Sequence, residues 1–356
     1  MRALKKWYIW LGTLAAFFAV WLPLRTSRTA MNALCGRILL PAEQALARLC
    51  VPLRISVAEV LVVSLVGAAI LYAGVTVRRL ITERHRIHTL LRFALTVLCS
   101  LLTVYALFCL LWGSFYNTDS FQNKSGITAR GGTVQELTEL TAQFADGLAA
   151  CADEVPRDAD GCFAVERDVI LKESTAVYEN IYGEFPFLRM QDMAPKAFCC
   201  SKALSYLDFT GFYFPFTGEA NVNIDSPAAY LPATVCHEMA HQRGISSEQE
   251  CNFVGILASV RSDDAAYRYS GYLMGYVYLA NALYRTDREA WQAIRDTLPE
   301  AAVADIHANS VYWLQFQGPV NTAATAVYDG FLKANGDENG VQSYGTVVDM
   351  LIAYFA

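Results

Sequence analysis

Three uncharged apolar runs mark the first third of the chain: WYIWLGTLAAFFAVWLPL over 7–24, VLVVSLVGAAILYAGVTV over 60–77 and FALTVLCSLLTVYALFCLLW over 93–112. As helices, each is long enough to cross a hydrocarbon core about 30 Å thick. After residue 112 the pattern changes. GSFYNTDSFQNKSGITAR (113–130) is polar and rich in Gly, Ser and Asn, the composition of a linker. From Thr133 onward, TVQELTELTAQFADGLAACADEV and VERDVILKESTAVYENIYGEF carry apolar residues at helical spacing, and the same spacing returns beyond residue 253 in FVGILASVRS, SGYLMGYVYLANALYR, DREAWQAIRDTL and TAATAVYDGFLKANG. Between them LDFTGFYFPFTGEANVNID (207–225) alternates aromatic residues with Gly, Pro and Asn, which predicts strand and turn. Pro215 cannot donate to a sheet ladder, so a strand here is an edge strand. The pattern predicts a mainly α protein with a small β edge (α+β): residues 1–114 as an anchor of three transmembrane helices, 115–132 as linker, and 133–356 as a folded domain.

The apolar runs raise the hydrophobic share to 54% of 356 residues, and its concentration at one end marks a membrane protein. A secretory signal is the alternative for the first run, because MRALKK supplies a basic start. Pro23 followed by LRTSRTA is a poor cleavage site and two further spans follow, so a retained anchor is the better reading. Charge then sets an orientation. Residues 1–112 carry 13 Lys+Arg against 3 Asp+Glu (+10), and residues 113–356 carry 15 against 31 (−16). With three spans, MRALKK and the loop RRLITERHRIHTLLR (78–92) share a side, and their basic character places it in the cytoplasm. The protein is therefore expected to be multi-pass in the cell membrane with its acidic C-terminal domain extracytoplasmic. The segment ALCGRILLPAEQALARLCV (33–51) reads as a helix lying on the bilayer interface, with arginines near lipid headgroups. An acidic surface excludes nucleic acid, which needs basic residues to neutralise phosphates. Six cysteines in this part of the chain allow disulfides in an oxidising compartment, with Cys151 and Cys162 as the first candidate pair; no CxxC is present, which argues against a thiolate zinc ribbon.

Candidate chemistry sits in CHEMAHQRGISSEQECN (236–252). Pro232 favours a first helical turn, Gly244 a helix end, and PATVCHEMAHQR between them contains no breaker. On that helix His237 and His241 are one turn apart and face the same way, so both imidazoles can reach one ion, and neutral ring nitrogens suit Zn²⁺. Glu238, a quarter-turn round, would stand beside the open coordination position as a general base. His307 is the one other histidine after residue 112, so a third ligand is expected to be a carboxylate: Glu248 or Glu250. Ser247 and Glu250 have capping-box spacing, which gives Glu250 a structural occupation. Glu248 lines up with Asn252, Gly255 and Ser259, a small polar stripe that can lie beside the histidine helix, and is the preferred ligand. Asn252 is placed to hydrogen-bond a liganding histidine.

HEMAH followed by EQECN resembles the glutamate zincins, thermolysin-like and CAAX-prenyl-peptidase-like, whose HExxH helix is completed by a glutamate in an ExxxD or ExxAD motif. The resemblance gives Glu248 the ligand position and sets Asn252 in place of the usual Asp. More closely, the chain is similar to an uncharacterised bacterial family of membrane-anchored HExxH proteins with three N-terminal spans. The counterparts here are GFYFPFTGEANVN (211–223), HEMAHQRG (237–244), EQECN (248–252) and FLKANGDENGVQSYGTVVDM (331–350). The resemblance implies a zincin-like domain in which a substrate peptide lies along an edge strand above the metal. GFYFPFTGEANVN fits that place, and Glu219, Asn221 and Asn223, alternating onto one face, would contact substrate or the metal helix.

The expected activity is that of a membrane-anchored zinc metalloendopeptidase acting on protein or peptide substrates, with Glu238 as the catalytic base. Tyr269, Tyr272, His307, Tyr312 and Tyr344 are candidate oxyanion donors, and Arg243 a candidate electrostatic aid. The alternatives are a zinc-dependent membrane sensor and a non-catalytic binding protein. The polar flanks of HEMAH, far from any apolar run, argue against cleavage within the bilayer.

Overall fold

The computed structural model describes residues 5–334 and 344–356. Residues 1–4 of the basic start, residues 335–343 of FLKANGDENGVQSYGTVVDM and the side chain of Tyr344 lie outside the described residues. The fold is mainly helical with one three-stranded sheet. It divides into two compact units, one of residues 1–43, 57–118 and 215–217, the other of 44–56, 119–214 and 218–356.

The first unit contains three helices long and apolar enough to cross a membrane: α1 (Lys5–Leu24), α3 (Val57–Thr82) and α4 (Arg86–Phe108), the last prolonged by a π-turn over Cys109–Gly113. Helix α2 (Leu40–Cys50) lies between α1 and α3 in the chain. Indole donors tie α1 to α4 and its extension: Trp7 Nε1 to Thr96 Oγ1 at 3.0 Å, Trp10 Nε1 to Thr103 Oγ1 at 2.9 Å, and Trp21 Nε1 to Ser114 Oγ at 3.1 Å. Such bonds suit helices in lipid, where hydrophobic contrast between neighbours is absent and polar side chains supply the specificity.

In the second unit, α5 (Val134–Ala152) packs on α8 (Ala265–Thr286), while α6 (Leu231–His241) packs on α7 (Glu248–Val260), which also contacts α8. Local sequence accounts for the starts and stops. Thr133 and Glu136 form a capping box on α5; Asp264 accepts from the amides of Ala266 and Tyr267 at the start of α8. Pro232 sits in the first turn of α6, and Gly244 takes φ 77° just past its end. Apolar residues of α10 (Tyr344–Phe355), among them Val347, Leu351 and Ile352, join the core.

The sheet runs β1 (Lys196–Phe198), β3 (Glu219–Asn223), β2 (Gly211–Phe214), with β3 parallel to β1 and antiparallel to β2. Pro215 falls in the β2–β3 connection, and β2 is an edge strand. The central strand is β3, and this changes the reading of Glu219, Asn221 and Asn223. They share a face, but all three are buried and bonded internally: Glu219 pairs with Lys196 Nζ at 2.7 Å, Asn221 Oδ1 accepts from Ser56 Oγ at 2.6 Å, and Asn223 Nδ2 donates to Ser205 Oγ at 2.8 Å. A strand paired on both sides has no open ladder to offer a peptide. Cys151 and Cys162 are free thiols.

Part of the stretch whose composition suggests a linker is ordered. Residues Phe121–Ser125 form a short helix, with Phe121 buried against Phe185 and Phe253. Glu250 holds it: its carboxylate accepts from the backbone N–H of Phe121 at 2.8 Å and of Gln122 at 3.1 Å. Ser247 does cap α7, but the Glu250 carboxylate reaches a different helix from the one its spacing suggests, because burial among distant backbone donors outcompetes the local bond. Replacing Glu250 by Ala leaves two orphan amides next to a buried ring, and is expected to lower stability by about 1–3 kcal/mol, read as a fall in the denaturation midpoint.

Candidate metal centre

The site begins with a close approach of two helices. A Cβ on Gly255 of α7 would lie 2.9 Å from the His237 backbone nitrogen, 3.1 Å from its Cα and 3.2 Å from the Ala233 carbonyl oxygen. With glycine there, the backbones of α6 and α7 come together and the stripe containing Glu248 and Asn252 faces the histidines. One turn of helix brings the His237 and His241 rings to 4.9 Å, nearly perpendicular.

Glu248 closes the group from the first turn of α7. Its Oε2 is 3.1 Å from His237 Nε2 and its Oε1 3.6 Å from His241 Nε2. One ligand atom from each residue lies within 4.8 Å of the others, so His237, His241 and Glu248 can hold a metal ion. The far side of each ring fixes its tautomer. His241 Nδ1 is 2.8 Å from the Ile245 carbonyl oxygen, which only accepts, so Nδ1 carries the hydrogen and, in the neutral ring, Nε2 presents its lone pair inward. His237 Nδ1 is 2.9 Å from Asn252 Oδ1, the same arrangement supplied by a side chain.

Without a metal the imidazoles themselves supply the positive charge there: burial opposes the charged form of His241, but its contacts with Cys251 and Glu248 outweigh it and raise its pKa well above the usual histidine range. Burial works against the charged form of Glu248, but the two imidazoles outweigh it and hold its carboxyl well below the usual range. Cys251 Sγ, 3.3 Å from His241 Nδ1, stays a neutral thiol: burial pushes its pKa up to about 12.

Glu238 occupies a different environment. It is 3% exposed, and burial raises its pKa from 4.5 to about 7, against the partial relief given by His237 and His241. Its Oε2 has no hydrogen-bond partner. Its Oε1 lies against β2, where a Cβ on Gly211 would come within 2.5 Å, so glycine is what lets this edge strand pass over the carboxylate.

Two of the nominated oxyanion donors, Tyr269 and Tyr312, direct their hydroxyls to other partners. Tyr269 donates to Asp305 at 2.5 Å under the Arg157 guanidinium, Tyr272 packs its ring on Phe144, Tyr312 donates to Asp225 at 2.8 Å, and His307 is exposed. Arg243 is sealed into a support for the helix end: it lies 3.5 Å over the Tyr178 ring, donates to the Met239 carbonyl at 2.7 Å and to Tyr182 Oη at 2.8 Å, and pairs with Asp192. Among the described residues, a phenol that does reach the metal group is Tyr328 of α9 (Pro319–Ala334), whose hydroxyl donates to Glu248 Oε1 at 2.7 Å. It lies 80 residues from its partner, and no spacing rule signals such a contact.

A family model described as "Protein of unknown function (DUF3810)" matches residues 38–352, most of the chain. The chain belongs to the DUF3810 family. No curated protein and no solved structure matches it. The match spans α2 through most of α10 and includes HEMAHQRG and EQECN. What the DUF3810 chain adds to that description is a His-His-Glu cluster that resembles an HExxH-plus-glutamate zinc motif.

The raised pKa of Glu238 has a measurable consequence in metal-free protein. Between about pH 4.5 and 7 the folded chain keeps a proton that the unfolded chain has lost, so this residue's contribution to stability falls as pH rises through that window. Glu238→Gln has no such proton to lose. Relative to wild type, it is expected to gain up to about 3 kcal/mol near pH 8 and little near pH 4, measured by denaturant titration with chelator present.

Proposed function

We propose that this DUF3810 protein is a membrane-anchored zinc metallopeptidase, with residues 1–114 as anchor and the catalytic domain in 133–356, facing away from the cytoplasm. The observation that carries the reading is the pairing of two features: a His-His-Glu group whose ligand atoms converge, and beside it a buried carboxylate with one unpartnered oxygen. A structural metal centre or a sensor gives no reason for that second carboxylate, which is costly to bury without a partner.

The residues fit zinc: two imidazole nitrogens and one carboxylate leave a position open. Zinc held by His237, His241 and Glu248 would supply a Lewis acid that lowers the pKa of a water toward about 7 and polarises a carbonyl. Glu238 is the base: its buried carboxyl, with Oε2 unpartnered beside the group, is placed to hold a proton taken from a nucleophile and to return it to a leaving amine. Asn252 and the Ile245 carbonyl keep the imidazoles oriented, and Tyr328 does the same for Glu248. An extended substrate would add to the sheet along β2, the edge strand whose first residue lies against Glu238.

Orientation rests on charge and connectivity. Residues 44–56 fold in the same unit as 119–214 and 218–356, so with three crossings the loop after α1 and the C-terminal region share a side. The basic 78–92 loop then lies on the other, cytoplasmic side.

The test is zinc content and hydrolysis of the purified full chain. Near one zinc per chain is expected in wild type and in Glu250→Ala, with loss in His237→Ala and Glu248→Ala. Glu238→Gln should keep the metal and lose peptide hydrolysis by about 10²-fold or more. A folded wild-type protein without zinc overturns the proposal. Tyr328→Phe removes the hydrogen bond to Glu248 and is expected to weaken zinc affinity by about 10-fold, read by competition with a chelating dye.

A further inference from the structure

The segment between the first two apolar helices is tied to the metal-bearing part of the fold. Gln44 Nε2 lies 3.5 Å from the carbonyl oxygen of Gln242, the residue after His241. Lys196 Nζ, already paired with Glu219, donates to the carbonyls of Cys50 and Ile55 at 2.7 and 3.0 Å, and Ser56 Oγ donates to Asn221. These bonds fix residues 44–56 to the end of α6 and to β1 and β3, all within one compact unit.

Ala47 is buried, but the large aliphatic side chains of the same segment stay outside that packing. Leu46, Leu49, Val51, Leu53 and Ile55 are exposed, Leu49 by 75% and Val51 by 54%. Arg48 and Arg54 stand among them, also exposed. An apolar face of this kind marks an interaction surface. Covalent geometry identifies what covers it. Ile55 is two residues from Val57, where the membrane-length α3 begins, and two residues reach about 7 Å at most. The face therefore starts at the end of a span. Aliphatic side chains with interspersed arginines match the boundary between acyl chains and phosphates, where guanidiniums stay with the headgroups.

We propose that residues 46–55 are a platform seated in the bilayer surface and built into the metal-bearing unit, so that the His237–His241–Glu248 group is held at the headgroup layer. From Gln44 to Leu49 the helix advances about 8 Å, at about 1.5 Å per residue. Gln44 itself touches the residue next to a ligand, so the metal group works within reach of lipid. On the peptidase reading, on which this consequence rests, the substrates are polypeptide segments that emerge from, or lie on, the same membrane surface.

The test uses the full chain in phosphatidylcholine–phosphatidylglycerol vesicles carrying a headgroup fluorophore, with Co²⁺ as the metal probe and short-range energy transfer to Co²⁺ as the readout. Uptake of Co²⁺ should quench the headgroup fluorescence strongly in wild type and leave it unchanged in His237→Ala. The combined variant Leu49→Asn, Val51→Asn and Leu53→Asn should bind as much Co²⁺, showing that the unit is folded, and lose most of the quenching. Co²⁺ uptake by wild type without quenching overturns the platform while leaving the metal centre standing. Equal quenching in the triple variant overturns the role of the apolar segment. No Co²⁺ uptake by folded wild-type protein overturns the metal centre itself, and this inference with it.

Discussion

Backbone contact between α6 and α7 at Gly255 is the constraint on which the candidate centre depends. The three contacts that a Cβ would make there are all to backbone atoms, which cannot rotate away as a side chain would. Separation of the helices by even a methyl group would move Glu248 and Asn252 together away from His237, since both project from the same face of α7. Ligand distance and imidazole orientation are thus set by one packing event, and the densely packed surroundings leave it little room to relax.

Around that contact, burial assigns different chemistry to two glutamates ten residues apart. Glu248 faces two imidazoles and is held ionised; Glu238, next to His237 in sequence, loses hydration without gaining a hydrogen bond for Oε2 and binds a proton up to about pH 7. The metal-free chain thus gives two neighbouring carboxyls opposite proton affinities. Other polar residues on or next to the same two helices are committed elsewhere. Arg243 braces the end of the histidine helix through Asp192, Tyr182 and Tyr178, and Glu250 secures the chain at Phe121.

The sheet contributes less by its length than by its order. With β3 in the centre, the polar side chains of EANVN are absorbed into the contacts that bind the 50–56 segment and the helix Ser201–Tyr206 to the fold. That leaves β2 as the strand beside Glu238 with an edge, and Gly211 as the point where it crosses the carboxylate. The acidic strand residue Glu219 is paid off in full by Lys196, whose ammonium also collects two loop carbonyls.

The sequence by itself determined the features that repeat along one element. Three long apolar helices, the three-turn helix from Pro232, the shared face of His237 and His241, and the alignment of Glu248 with Asn252 and Gly255 all follow from runs and spacings of 3.6 residues, which local geometry enforces. Tertiary structure decided what depends on partners remote in the chain: that Glu250 caps residues 121–122, that Arg243 and Tyr269 serve the core, that β3 lies in the middle of the sheet, and that Tyr328 meets Glu248. A hydrogen bond across 80 residues leaves no periodic trace, because either partner would read the same on its own helix if the other were absent. Burial is likewise a property of the assembled core, so the order of the strands and the proton affinity of Glu238 exist only once the helices have packed.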